Sequence, residues 1–237
     1  MVVALLTAAG TGTRMGQDIP KQFMHIENKP LIIHTMEAFQ NHPSVDAIMV
    51  VTLPDWIAVL RAYASQFGIT KLRWVVPGGA TGQESIHNGL VELSKELNGD
   101  DIVMVHDGNP CLVSSEIISN SLAVFNAHGS AVAAIPCVEA VFRSNDDGQT
   151  SNVMIPREQL FRTQTPHTYT LEKLMWAHSE AEKRGIANTA ASCSLMQMLG
   201  ETIYFSKGSE TNLKITTLDD ILIFKALLHT KKDSWLK

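Results

Sequence analysis

The first apolar run of the chain leads into a segment whose residue types suit an anion. Residues 2–9 are apolar, and the run is followed by three glycines and two cations: Gly10, Gly12, Gly16, Arg14 and Lys21. Glycine lets backbone N–H groups approach an anion closely, and the cations supply charge for phosphate oxygens. The segment therefore predicts a loop that cradles a triphosphate, with a tight strand-to-helix turn as the alternative.

A carboxylate, Asp107, follows another apolar run at residues 102–106. A carboxylate at the end of a buried strand suits Mg²⁺, which takes one or two protein oxygens together with substrate phosphates. The alternative is an Asx turn before Gly108. The neighbouring His106 is predicted to be part of the hydrogen-bonded structure rather than a ligand.

Two further patterns limit the interpretation. The glycine-rich segment lacks G-K-[ST] and the G-x-G-x-x-G spacing, so it is neither a P-loop nor a dinucleotide fingerprint. Lys214 lies in the segment NLKITT, just before the last predicted helix. Taken alone, such a lysine is a solvated surface charge.

Composition excludes several classes of protein. With 237 residues, 45% hydrophobic and 18% charged, the chain is long and apolar enough to form one large globular core. A net charge of −5 argues against nucleic-acid binding. We also expect no membrane span and no signal peptide, hence a cytoplasmic enzyme. The three cysteines show no metal or disulfide spacing, so reduced thiols are expected.

Strands and helices alternate along the first part of the chain. Apolar patterns predict strands at 2–9, 45–53, 72–76, 102–106 and 130–138, and helices at 30–40, 54–66, 83–97 and 114–127. This alternation predicts an α/β domain with a mainly parallel sheet. Ligands of such sheets bind at the carboxyl ends of the strands, where the first loop, residues 77–85 and residues 106–110 are expected to meet.

The pattern changes after residue 138. The polar segment SNDDGQTSN, flanked by VFR and VMIP, predicts a hairpin or arm within residues 139–165. Helices are then predicted at 171–184, 190–199 and 217–229, with a strand at 201–206.

Five motifs occur in order across nearly the whole chain: AAGTGTRMGQDIPKQF, PGG followed by ES, HDGNP, QTP and NLKITTLDD. This combination resembles the cytidylyltransferases that act on polyol phosphates. They comprise the 2-C-methyl-D-erythritol 4-phosphate cytidylyltransferases and the related ribitol-5-phosphate cytidylyltransferases.

The resemblance implies a single GT-A-like, Rossmann-like three-layer αβα domain over residues 1–237. It also implies a protruding β-arm at about 139–165, through which two copies of the chain form a homodimer. The implied reaction transfers CMP from CTP to a polyol phosphate with Mg²⁺, giving a CDP-polyol and pyrophosphate. For the methylerythritol branch, a role in isoprenoid biosynthesis is implied.

The resemblance also assigns roles to individual residues. Asp107 would hold Mg²⁺, and the catalytic cations would be Arg14, Lys21 and Lys214. The residues expected to bind the nucleotide are Ala8, Ala9, Gly10, Thr11, Gly12, Gly79 and Ser85. Those expected on the acceptor side are Arg157, Thr165 and Thr189.

The chain also departs from the family pattern. Gly82 replaces an arginine, the loop after Asp107 is one residue shorter and has Asn109 in place of an arginine, and Ala140 and Ala190 replace a threonine and an aspartate. Two alternatives follow from these departures. One is a nucleotidyltransferase for another nucleotide or sugar phosphate, and the other is a catalytically impaired nucleotide-binding paralogue.

Overall fold

The structure is a computed structural model that describes residues 1–10, 19–108 and 112–230. Of the strands found in these residues, seven form the central sheet. They are β1 (Val2–Ala8), β4 (Ala47–Thr52), β5 (Leu72–Pro77), β6 (Ile102–Asp107), β7 (Ala131–Pro136), β10 (Phe161–Thr170) and β11 (Phe205–Lys207). Their order across the sheet is β11-β7-β10-β6-β1-β4-β5.

Neighbouring strands of the sheet are parallel except at β10, which is antiparallel to both β6 and β7. In the described residues the α-helices are α1 (Leu31–Gln40), α2 (Ile57–Gln66), α3 (Gly82–Leu93), α4 (Ser115–His128), α5 (Leu171–Arg184), α6 (Ser192–Met198) and α7 (Leu218–Thr230). The parallel sheet and alternating helices predicted from the sequence are confirmed.

Helices cover both faces of the sheet because both faces of its strands are apolar. Ala4 and Leu6 of β1 pack with α1, α2 and α4, whereas Val3 and Leu5 pack with α3, α5 and α6. Such two-sided burial is typical of parallel strands. The result is the predicted three-layer αβα domain.

Side chains and glycines mark the helix ends. The hydroxyl of Ser114 accepts a hydrogen bond from the N–H of Ile117 at the start of α4, as a capping serine does. Gly185 follows α5 with a φ of 65°, the left-handed conformation that glycine tolerates best at a helix end. Pro54 starts a 3₁₀ turn, Pro54–Trp56, ahead of α2.

The predicted hairpin is present but short. Strands β8 (Val141–Arg143) and β9 (Val153–Ile155) pair antiparallel. Asp146 organises the turn between them, because its carboxylate accepts hydrogen bonds from Ser144 and Thr150. These hydrogen bonds lower the pKa of Asp146 to about 2. The arm exposes Phe142 and Met154 to solvent.

The largest difference from the sequence prediction is β10. The prediction assigns residues up to 165 to the arm, yet a ten-residue strand begins at Phe161 in the middle of the sheet. The sequence pattern does not predict this strand, because most of its residues are polar and it contains Pro166, and proline is rare in central strands. The register of β10 against β7 shifts between Thr163 and His167, next to Pro166.

Other differences are smaller. A hairpin of β2 (His25–Ile26) and β3 (Lys29–Pro30) was not predicted. Helix α3 ends at Leu93 rather than at residue 97. Within the described ranges no helix is both long and apolar enough to cross a membrane. The cytoplasmic location stays a prediction.

Gly89 tests how closely α3 packs on the sheet. A Cβ at this position would lie 2.9 Å from side-chain atoms of both Leu5 and Val51. We expect Gly89→Leu to lower the free energy of unfolding by about 1–3 kcal/mol through overpacking. Urea unfolding followed by circular dichroism measures the change.

The matched control is Gly82→Leu in the first turn of the same helix, where an added Cβ meets nothing within 4 Å. Its effect should stay within about 0.5 kcal/mol. Equal losses in the two variants would contradict the packing described for α3.

Candidate active site

A cavity of about 600 Å³ opens at the carboxyl ends of the central strands. Thr7 of β1 and Asp107 of β6 are register partners at this edge and both line the cavity. Residues from later segments complete the wall, among them Thr165, Thr189 and Lys214. Four residues predicted to form the metal, catalytic and acceptor sites therefore line one cavity.

Asp107 and Lys214 form an ion pair in this cavity. The Lys214 Nζ lies 2.9 Å from the Asp107 Oδ2, and the backbone N–H of Asp107 donates to the Thr165 Oγ1 at 3.3 Å. The Lys214 side chain is 51% exposed, so water weakens the attraction and leaves the ammonium accessible. Both charges are available to a ligand.

Lys21 reaches the same region from the other end of the chain. It lies in a 3₁₀ turn, Lys21–Phe23, and is buried. Its Nζ donates to the backbone carbonyl of Ile215 at 3.0 Å, beside Lys214. The predicted cations Lys21 and Lys214 therefore belong to neighbouring segments, although they lie near opposite ends of the sequence.

Gln22 holds the end of β1 and was missed in the sequence. Its side chain is fully buried, and its Nε2 donates to the carbonyls of Ala8 at 2.7 Å and Gly10 at 3.1 Å. A polar residue beside the conspicuous Lys21 gave little indication of this contact. The predicted residues Thr11, Gly12 and Arg14 lie outside the described residues, as does Asn109.

The loop at residues 77–85 packs against the end of β1. A Cβ on Gly78 would lie only 2.2 Å from the Cβ of Ala9, so the close approach requires glycine. The hydroxyl of Ser85 accepts from the Gly79 N–H and donates to the Thr81 carbonyl. Gly79 and Ser85 are therefore held in a loop that touches Ala9, and their role in nucleotide binding stays a prediction.

Asn212 connects the segment before α7 to β10, and it was also missed. Its Nδ2 donates to the carbonyl of Thr165 at 2.8 Å. The Oδ1 of Asn212 and the Oγ of Ser192 are buried without a hydrogen-bond partner among the described residues, and both residues line the cavity. Buried polar atoms normally have partners, so these two suit a polar ligand.

The cavity histidines do not carry positive charge at neutral pH. Burial lowers the pKa of His106, His167 and His178 to about 4. His106 is fully buried, but neither of its ring nitrogens has a hydrogen-bond partner among the described residues, so the predicted hydrogen bonds are not found. Positive charge at the described cavity lining therefore comes from Lys214 and Arg162, and Arg162 is paired with Glu210.

One predicted acceptor residue, Arg157, does not reach the cavity of its own chain. Arg157 is exposed, donates to the carbonyl of Val138, and does not line the cavity. Among the residues that the structure describes, no group of three or more His, Cys, Asp or Glu side chains could enclose a metal ion. Asp107 alone still fits Mg²⁺, which binds through few protein carboxylates when substrate phosphates are present.

The fold and site together define a nucleotidyltransferase of the Rossmann-like αβα class. More particularly, the chain belongs to the 2-C-methyl-D-erythritol 4-phosphate cytidylyltransferase family, whose model matches residues 2–230. Cytidylyl transfer from CTP to a polyol phosphate is the activity consistent with its relatives.

The relatives fall into two groups. A ribitol-5-phosphate cytidylyltransferase from Lacticaseibacillus paracasei is 39% identical, covering 98% of this chain and 100% of the relative. A 2-C-methyl-D-erythritol 4-phosphate cytidylyltransferase from Clostridium botulinum is 33% identical, covering 95% and 96%. The crystal structure of the Francisella tularensis 2-C-methyl-D-erythritol 4-phosphate cytidylyltransferase is similar, with a TM-score of 0.74 and 26% identity over 94% of this chain and 97% of that one.

The buried histidines make stability sensitive to acid. In the unfolded chain these histidines bind protons below about pH 6.5, whereas in the folded chain they stay neutral down to about pH 4. The free energy of unfolding therefore decreases as the pH is lowered from about 6.5 to about 4. His178 alone should cost roughly 2 kcal/mol between pH 7 and pH 5. His178→Gln should therefore lose less stability than the wild type over this range in urea unfolding.

The control is His25→Gln, which removes an exposed histidine and should leave the acid sensitivity unchanged. If His178→Gln and the wild type lost the same stability between pH 7 and pH 5, the buried, neutral state of His178 would be refuted.

Proposed function

We propose that this protein transfers CMP from CTP to a polyol phosphate, with ribitol 5-phosphate as the preferred acceptor and 2-C-methyl-D-erythritol 4-phosphate as the second candidate. The convergence of Lys21, Asp107 and Lys214 at one edge of the sheet carries the proposal. Ribitol is favoured because two ribitol-5-phosphate cytidylyltransferases are 39% and 37% identical to this chain, against 36% and 33% for the methylerythritol relatives from Geotalea uraniireducens and Clostridium botulinum.

In the proposed reaction, an oxygen of the acceptor phosphate attacks the α-phosphorus of CTP. A phosphorus–oxygen bond forms to the acceptor as the bond to the departing pyrophosphate breaks. A phosphate nucleophile is already anionic at neutral pH, so no side chain has to remove a proton. The protein must instead bring two polyanions together and stabilise their charge.

The cations divide this task between them. Lys21 is buried and held by the Ile215 carbonyl, so it would stabilise charge on the CTP phosphates without reorganising. Lys214 is accessible and would contact the reacting phosphates. By resemblance, Arg14 would assist Lys21, and Ala8, Ala9, Gly10, Thr11, Gly12, Gly79 and Ser85 would surround the nucleotide.

Asp107 is the residue proposed to hold Mg²⁺. Its Oδ2 pairs with Lys214, and its carboxylate lies at the edge where the phosphates would lie. Bound there, Mg²⁺ would neutralise phosphate charge. The hydrogen bond from the Asp107 N–H to the Thr165 Oγ1 keeps the carboxylate beside the proposed acceptor site.

We further propose a homodimer in which the arm carries Arg157 to the acceptor site of a second copy. Arg157 does not line the cavity of its own chain, and Val138, Phe142 and Met154 of the arm region are more than half exposed. Apolar side chains exposed together are typical of a protein interface.

Pyrophosphate release tests the proposed function. The purified protein is incubated with CTP, Mg²⁺ and, in turn, ribitol 5-phosphate, 2-C-methyl-D-erythritol 4-phosphate and a set of sugar phosphates. We expect the highest kcat/KM with ribitol 5-phosphate, loss of turnover in excess EDTA, and little turnover when UTP replaces CTP.

The other outcomes identify the alternatives. Turnover with UTP or a sugar phosphate would indicate a different nucleotidyltransferase. Binding of CTP without turnover of any acceptor would indicate an impaired paralogue, for which the glycine at position 82 is an argument.

Lys21→Ala tests the role of the first lysine. Removing one preorganised cation should cost about 3–4 kcal/mol of transition-state stabilisation, which lowers kcat by two or more orders of magnitude. Steady-state kinetics measure the loss, and circular dichroism checks that the fold survives.

Lys71→Ala is the matched control, because Lys71 also donates to a backbone carbonyl, that of His42, but beside the start of β5. It should retain wild-type turnover. Normal turnover by Lys21→Ala would rule out the proposed role of Lys21.

A further inference from the structure

Gln83 connects two segments that face the cavity. It lies in the first turn of α3, within the segment 77–85. Its Nε2 donates to the carbonyl of Ile186 at 3.0 Å, and its Oε1 accepts from the backbone N–H of Thr189 at 3.0 Å. One side chain therefore holds the segment between α5 and α6 against the start of α3.

The same two hydrogen bonds determine how the amide of Gln83 is oriented. The Ile186 carbonyl needs a donor and the Thr189 N–H needs an acceptor. Exchanging the oxygen and nitrogen of the Gln83 amide would therefore break both hydrogen bonds. The oxygen Oε1 also lies 3.1 Å from the Thr189 Oγ1. An amide oxygen has no proton, hence the hydroxyl of Thr189 must be the donor.

This geometry limits what Thr189 can offer to a ligand. Its one hydroxyl proton is directed to Gln83, so Oγ1 retains lone pairs and no free proton. Thr189 lines the cavity and is partly exposed to it. Its hydroxyl can accept a hydrogen bond from a ligand O–H, but it cannot donate one to a phosphate oxygen while the contact with Gln83 persists.

We propose that Gln83 is a positioning residue that holds Thr189 as a hydrogen-bond acceptor for a hydroxyl group of the polyol. The specificity it confers is for a hydroxylated chain, whereas the phosphate of the acceptor is bound by cations elsewhere in the cavity, such as Lys214. This inference rests on the proposed function, because it assigns the ligand that Thr189 contacts.

The kinetics of Gln83→Ala test the positioning role. We expect the KM for ribitol 5-phosphate to rise about tenfold, the effect of one lost hydrogen bond, while the KM for CTP is unchanged and kcat changes much less. Gln83→Glu keeps an oxygen for Thr189 but cannot donate to the Ile186 carbonyl, so its KM for the acceptor should lie between those of the wild type and Gln83→Ala.

Gln40→Ala is the matched control. The Gln40 side chain likewise donates to one group and accepts from a backbone N–H, those of Thr70 and Lys71, but beside the start of β5. It should change neither KM. An unchanged acceptor KM in Gln83→Ala would overturn the proposal.

Acceptor analogues test which group Thr189 contacts. The analogues are ribitol 5-phosphates that each lack one hydroxyl. For the wild type, we expect kcat/KM to be about tenfold lower with one of these analogues than with ribitol 5-phosphate. For Thr189→Val, we expect the same analogue and ribitol 5-phosphate to have equal kcat/KM. If Thr189→Val discriminated among all the analogues as the wild type does, Thr189 would not contact the polyol.

Hydrogen exchange tests the contact without relying on activity. The amide of Thr189 should exchange faster in Gln83→Ala than in the wild type and in Gln40→Ala, because its acceptor is gone. Unchanged exchange would overturn the positioning role. If the wild type turned over no polyol phosphate, the proposed function and the ligand assigned to Thr189 would both fail, while faster exchange would still establish the contact between Gln83 and Thr189.

Discussion

The parallel pairing of β6 with β1 is the constraint on which the site depends. It places Thr7 beside Asp107 at one edge of the sheet, and the pairing of β1 with β4 places Ala8 beside Thr52 at the same edge. Both faces of β1 are buried, so slipping the register by one residue would exchange its two apolar sets between the two cores. Packing thus determines which residues end the strands at this edge, where several candidate site residues lie.

The antiparallel strand β10 contributes Thr165, which contacts both Asp107 and the segment that carries Lys214. It lies between β6 and β7 and brings Thr165 to the N–H of Asp107. The carbonyl of Thr165 then accepts from Asn212, which fixes the segment carrying Lys214. One strand therefore connects the proposed metal ligand with a proposed catalytic cation.

The sequence predicted the parts of the fold that apolar periodicity determines. The parallel strands and the helix Leu171–Arg184 were found because buried apolar residues recur with a local period. Strand β10 was missed because its hydrogen bonds come from strands distant in sequence, and its own residues are polar. Local patterns do not record such pairing.

The candidate site divides in the same way. Asp107 was selected as a candidate because it ends an apolar strand, while Lys214 was selected through family resemblance rather than from its own neighbours. Gln22, Gln83 and Asn212 were missed, since each acts by hydrogen-bonding backbone groups of another segment. A polar residue with such a role has no spacing rule that reveals it in a single sequence.

The electrostatics of the site explain why lysines rather than histidines would carry its charge. Burial keeps the pKa of His106 and His167 near 4, so at neutral pH neither ring offsets phosphate charge. Lys21 is only 9% exposed and is fixed on a carbonyl, and Lys214 is half exposed and paired with Asp107. A buried cation acts in a low dielectric, where it attracts a phosphate strongly, and an exposed one can move as the phosphate charge shifts from CTP to pyrophosphate. The two lysines are therefore suited to the different charge-stabilising roles proposed for them.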